Sequence, residues 1–181
     1  MRLRFVDTKE YLFPADRDFT EDARRRRVLT LSLDIELENS NAADWLLEPV
    51  RNGPQNVIRL SSVRYPGEYL LAGTDDLALD LDRRKVYTWR ETGTDFSEWG
   101  GPEEWILTER QNPDDDRAAS NHFTLRNRKF NEDLYASSDR FELDDKFGTV
   151  YTWRHDGKIQ DPAGSPSNVW EVIIRPGQQQ S

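Results

Sequence analysis

The chain has 181 residues, with 34 acidic and 25 basic side chains, no cysteine, and 6 Trp, 6 Tyr and 8 Phe. That length suits one domain with a real core, and so many large buriable groups argue against a disordered chain. The formal net charge of −9 disfavours a nucleic-acid partner, and the missing cysteines exclude disulfides and thiolate metal sites.

Met1-Arg2-Leu3-Arg4 carries no apolar signal core, and no stretch approaches the roughly 18 apolar residues of a membrane span. A soluble protein is expected, and both a cytoplasmic protein and the mature form of a secreted one fit. The run Leu3 to Val6 alternates as a first short strand. Tyr11-Leu12-Phe13-Pro14-Ala15, Val28-Leu29-Thr30-Leu31-Ser32 and Trp45-Leu46-Leu47 predict three more. Between them, Arg24-Arg25-Arg26-Arg27 follows Glu21 and Asp22 and reads as a solvated loop, or as one short helical turn from Asp22 to Arg27. Next come Val57 to Leu60, the turn Tyr65-Pro66-Gly67-Glu68, Tyr69 to Ala72, Val86 to Arg90 and Trp105 to Leu107. The last set is Phe123 to Leu125, Asp133 to Ala136, Val150 to Arg154 and Trp170 to Val172. No window of helix length shows a helical period.

These elements repeat. Val86-Tyr87-Thr88-Trp89-Arg90 recurs unchanged 64 residues later as Val150-Tyr151-Thr152-Trp153-Arg154. Tyr69-Leu70-Leu71-Ala72 and Asp133-Leu134-Tyr135-Ala136 keep the same offset. A more divergent copy precedes them: Tyr11 and Val28 stand 58 residues before Tyr69 and Val86. Three copies of four strands, each about 55 to 65 residues, predict an all-β fold, the β-trefoil, in which no copy buries its apolar face alone. One domain over 1–181 is expected, with copies at about 1–52, 53–115 and 116–176 and a flexible tail at 177–181. Trp45, Trp105 and Trp170 fall at matching places and should form a ring in the core.

Two family resemblances follow. Trp89 before Trp105, and Trp153 before Trp170, resemble the spacing of ricin-type lectin domains, although Ala43, Glu103 and Asn168 stand where that family has Gln. Asn127-Arg128-Lys129-Phe130-Asn131-Glu132-Asp133-Leu134, with Trp153-Arg154-His155-Asp156-Gly157, resembles the third trefoil repeat of the insect thirty-kilodalton haemolymph lipoproteins. That likeness implies a trefoil that binds carbohydrate and serves storage or recognition; it does not imply catalysis.

The reactive side chains point the same way. His122 and His155 have no partner at a telling spacing, so both read as surface residues. Asp114-Asp115-Asp116 lacks the Gly and closing Glu of a calcium loop and reads as a solvated charge run. Asp75-Asp76 and Asp144-Asp145 read as acidic loop tips, since sequence neighbours do not fix the separation a glycosidase needs. No catalytic residue, metal or cofactor is expected. Trp89 and Trp153 are the candidate binding residues, with Arg90, Glu91, Arg154, His155 and Asp156 as polar partners for sugar hydroxyls. Leu31 and Ser32 hold the corresponding place in the first copy, which should be dead. A second reading stays open: Leu29, Leu31, Tyr87, Trp89, Tyr151 and Trp153 share one strand parity, and a face apolar in every copy is usually core. Trp99 has no counterpart and reads as an exposed anchor or a lid. The expected partner is a glycan or glycoprotein, with a protein-interaction role, as a protease inhibitor or a recognition or storage protein, as the alternative.

Overall fold

The computed structural model describes residues 1–19, 22–32, 40–74, 79–90, 100–110, 121–141, 144–154 and 168–174. Twelve strands join in one antiparallel sheet. Six of them follow one another around a ring: β1 (Arg2–Phe5), β12 (Trp170–Ile173), β9 (His122–Asn127), β8 (Trp105–Arg110), β5 (Val57–Ser62) and β4 (Trp45–Pro49). Met1 closes the ring, because its amino group donates to the Trp45 carbonyl at 2.9 Å and its carbonyl accepts from the Trp45 amide at 2.8 Å. The other six strands form three hairpins: β2 (Glu10–Phe19) with β3 (Asp22–Ser32), β6 (Glu68–Ala72) with β7 (Arg83–Arg90), and β10 (Glu132–Phe141) with β11 (Asp144–Trp153). A ring closed in this way leaves few free edges, which limits edge-to-edge association. Among the described residues, no helix is long and apolar enough to cross a membrane.

The second strand of each hairpin pairs with those of the other two, so β3, β7 and β11 make a triangular cap. The three registers match. Arg26 lies opposite Thr88, Arg84 opposite Thr152 and Gly148 opposite Thr30. All three threonines are fully buried.

The turn into each hairpin also matches. Lys9, Gly67 and Asn131 have φ of 61°, 81° and 56°, the left-handed region that reverses the chain before Glu10, Glu68 and Glu132. At Tyr65-Pro66-Gly67-Glu68 the Glu68 amide closes the turn on the Tyr65 carbonyl at 3.0 Å. Pro in the second place and Gly in the third suit that turn, and Gly meets the positive φ without strain.

Inward-facing residues fill the ring. Leu12, Leu70 and Leu134, Val28, Val86 and Val150, and Trp45, Trp105 and Trp170 all belong to one buried cluster. Each of these indoles donates to a hairpin carbonyl, that of Leu12, Leu70 or Leu134, at 3.0 Å in every case. The three indoles thus tie the ring to the hairpins, and each of their own buried N–H groups has an acceptor, as the expected tryptophan ring requires.

One expectation needs correction. Arg24 to Arg27 form neither a solvated loop nor a helical turn; they belong to β3. Register explains it, because Arg25, Arg26 and Arg27 pair with Trp89, Thr88 and Tyr87 of β7. Their guanidinium groups settle on aromatic rings, Arg25 5.4 Å from the centre of Tyr87, Arg26 3.8 Å from Tyr65 and Arg27 4.9 Å from Phe141.

Candidate binding site

Trp89 lies near the end of β7 and Trp153 ends β11. Their parity is opposite to that of Val86 and Val150, so they leave the central core and enter two satellite clusters on the outer side of the cap. Both are buried, with 2% and 8% of their surface exposed. Trp89 meets Tyr87 edge-on at 6.4 Å between ring centres. Arg24 and Arg25 cover it, their guanidinium carbons 4.3 and 5.0 Å from its ring centre. Arg24 is itself exposed. Trp153 packs on Tyr135 at 6.1 Å, and Tyr135 on Tyr151 at 5.1 Å. In this conformation neither indole presents a bare face to solvent.

The arginines after these indoles turn inward to carboxylates. Arg90 donates to Glu68 at 3.0 Å and Arg154 to Glu132 at 3.3 Å. They brace the hairpins, and a ligand recruiting them would compete with those bonds. Glu91, His155, Asp156 and Trp99 lie outside the described residues, as do Asp75, Asp76 and Asp114 to Asp116. Of the expected set, Arg90 and Arg154 each reach a buried glutamate, whereas Trp89 and Trp153, one residue earlier in the chain, pack into aromatic clusters apart from those carboxylates.

Those glutamates were not among the residues singled out from the sequence. Glu10, Glu68 and Glu132 open β2, β6 and β10 and are 3%, 1% and 0% exposed. Thr30, Thr88 and Thr152 donate to them at 2.7, 2.8 and 2.6 Å. An arginine from another hairpin completes two of the knots: Arg26 reaches Glu68 at 3.0 Å and Arg84 reaches Glu132 at 3.1 Å. Gly148 takes the matching place beside Glu10, and Arg140 fills in from β10 at 2.5 Å. Desolvating a carboxylate is costly unless donors replace its water, and these donors do so. A carboxylate occupied on all sides anchors the fold and has little freedom to move protons. The sequence did carry the signal: the three glutamates keep the offsets of 58 and 64 found for the tryptophan strands.

A polar cavity of about 530 Å³ is lined by Arg59 of β5, by Gly100, Gly101, Glu103 and Glu104 just before β8 and by Arg128 and Lys129 just after β9, with Glu103 where the ricin-type pattern places Gln. Arg59 pairs there with Glu103 at 2.8 Å and Arg128 with Glu104 at 2.6 Å. Among the described residues, no group of three or more His, Cys, Asp or Glu is placed to hold a metal ion.

No family model matches the sequence, and no curated protein matches it. Solved structures do. The chain is similar to the SDF2-like protein from Arabidopsis thaliana, at TM-score 0.64 and 14% identity, over 94% of this chain and 89% of that one. It is similar to the designed 3-fold symmetric protein ThreeFoil, at TM-score 0.61 and 13% identity, over 96% and 97%. It is also similar to BEL beta-trefoil, at TM-score 0.55 and 17% identity, over 95% and 91%. At these identities the likeness speaks to fold alone, and with the closed all-β ring and its three hairpins it makes this chain a β-trefoil.

Proposed function

We propose that the chain is a non-catalytic binding module, built of three pseudo-repeats of four strands, and that its ligand is a glycan or glycoprotein. The observation that supports this reading is the guanidinium of exposed Arg24 lying 4.3 Å from the ring centre of Trp89. That face already holds a planar polar group supplied by a surface side chain. The C–H face of a sugar stacks on an indole in a similar way, with neighbouring charged groups taking its hydroxyls. Arg24 is then a displaceable cover, and Trp89 with Arg90 and Glu91 is the platform of the second copy. Trp153 with Arg154, His155 and Asp156 is its counterpart in the third, and Trp99 is a further anchor. The first copy has Leu31 and Ser32 in that place and no platform.

A glycan array followed by a titration of tryptophan emission tests this. Removing the cover with Arg24→Ala should tighten binding roughly threefold, the size of a modest cation–π contact. Trp89→Phe should weaken it while leaving the fold intact. Silence of both wild type and Arg24→Ala toward every sugar would end the glycan reading.

A protein partner is the second reading. Leu46 and Leu47, 41% and 39% exposed, leave apolar surface on both faces of β4. An inhibition assay against trypsin-like proteases tests its inhibitor form, whose candidate loops, 91–101 and 156–168, fall largely outside the described residues.

A further inference from the structure

Where β3, β7 and β11 meet, the cap holds a cavity of about 410 Å³ that the glycan reading does not use. Three matched positions line it. Arg27 lies opposite Tyr87, Lys85 opposite Tyr151 and Thr149 opposite Leu29. Two of them carry a positive charge and the third a neutral hydroxyl. Next to them in the chain, Val28, Val86 and Val150 also line the cavity and fix it to the central core. Phe141 and Tyr151 contribute ring surface, and Leu79, 45% exposed, forms an aliphatic lip. No carboxylate belongs to the lining among the described residues. Arg83, also on the wall, is matched by Asp80 at 2.6 Å. Among the described lining residues, the charged ones are thus Arg27, Arg83 and Lys85, in a chain whose formal net charge is −9.

We propose that this cavity binds a small amphipathic carboxylate. The volume falls in the range of pockets that take small molecules. The apolar body lies against the valines, Phe141 and Tyr151, where removal from water stabilises it. The carboxylate sits between Arg27 and Lys85, whose N–H groups make charge-assisted bonds to it. Thr149 breaks the three-way symmetry of charge and so sets the orientation: the head turns away from β11. The proposal rests on the cap alone and stands whether or not Trp89 binds a sugar.

Titration calorimetry with decanoate, and with 1-decanol as the uncharged twin, tests it. Wild type should bind one decanoate, and the alcohol about tenfold more weakly, since only the anion gains from the two cations. Lys85 is exposed, so Lys85→Glu should keep the fold and weaken decanoate about tenfold or more. Thr149→Lys, which completes the triad of cations, should strengthen it. Arg51→Glu makes the same charge change on the exposed turn after β4 and should leave affinity unchanged. Absence of saturable heat with wild type, equal affinity for acid and alcohol, or equal effects of Lys85→Glu and Arg51→Glu would each overturn the proposal. Glycan binding measured on the same variants separates this site from Trp89.

Discussion

Glu10, Glu68 and Glu132 show what one residue type can do when it recurs at a buried place. Each is closed by a threonine from its own hairpin and by an arginine, and at Glu68 and Glu132 that arginine crosses from the preceding copy. Gly148 marks where the pattern breaks. A Cβ there would stand 2.3 Å from Thr30 Oγ1 and 2.8 Å from a Glu10 carboxylate oxygen. Gly148→Ala should therefore lower stability by about 1–3 kcal/mol through overpacking, read as a lower urea midpoint with unchanged slope. An unaffected midpoint would show that the Glu10 knot is slack. The glutamates were legible in the sequence through their offsets, but their burial was not, because a charged residue at a strand start reads as surface. The same blindness turned Arg24 to Arg27 into a loop: a cation reveals its ring partner only once β3 and β7 are in register. Strand parity left core and platform both open for Trp89 and Trp153; the structure buries them in satellite clusters apart from the central core, a distinction parity does not make.

Among the elements, β1 and β12 are the seam where the first and twelfth strands pair in the ring. Arg4 lies opposite Glu171 and its guanidinium bonds that carboxylate. Burial pushes the Glu171 carboxyl up, but the Arg4 hydrogen bond and charge, aided by the Asn121 amide, outweigh it and hold the carboxyl below its ordinary value. As pH falls through the ordinary carboxylate range, the unfolded chain takes up this proton before the native one does. Stability is thus present above that range and is lost as pH drops toward the depressed native value. Asp80 moves the same way: burial raises it, while the Asp82 amide and Arg83 outweigh that and lower it. Arg4→Gln should flatten the acid limb, so that urea midpoints measured between about pH 5 and pH 2 fall less steeply than in wild type. Equal slopes would remove the seam from acid sensitivity. Most strand starts were readable from apolar alternation. The early starts of β3 at Asp22 and β11 at Asp144 were not, since those extensions are charged and depend on pairing rather than on a buried face.

For the whole molecule, the β-trefoil was readable because strand landmarks recur at offsets of 58 and 64 while the residues around them differ. The ligand was not, because spacing is preserved by packing and recognition is not. The cap and the ring tie the hairpins to one another: β3 pairs with β7 and β11, and β4 with β5, β8 with β9 and β1 with β12, so every hairpin unit owes part of its pairing to its neighbours. Unfolding should then be one transition, with tryptophan emission and far-UV circular dichroism coinciding in urea. Refolding should fall in the slow range of about milliseconds to seconds typical of non-local β pairing. Two resolved transitions would mean that a copy stands without its neighbours.

The seam has a further consequence. Because β1 and β12 lie side by side and run antiparallel, with Arg2 opposite Ile173, the chain between them comes close to a closed loop. A short bridge from β12 back to β1 would close it, and a break in the turn between Pro49 and Val57 would expose a different pair of ends without cutting a strand. Where the chain is opened then matters little to the product, and the same cap of β3, β7 and β11 should assemble from either starting point.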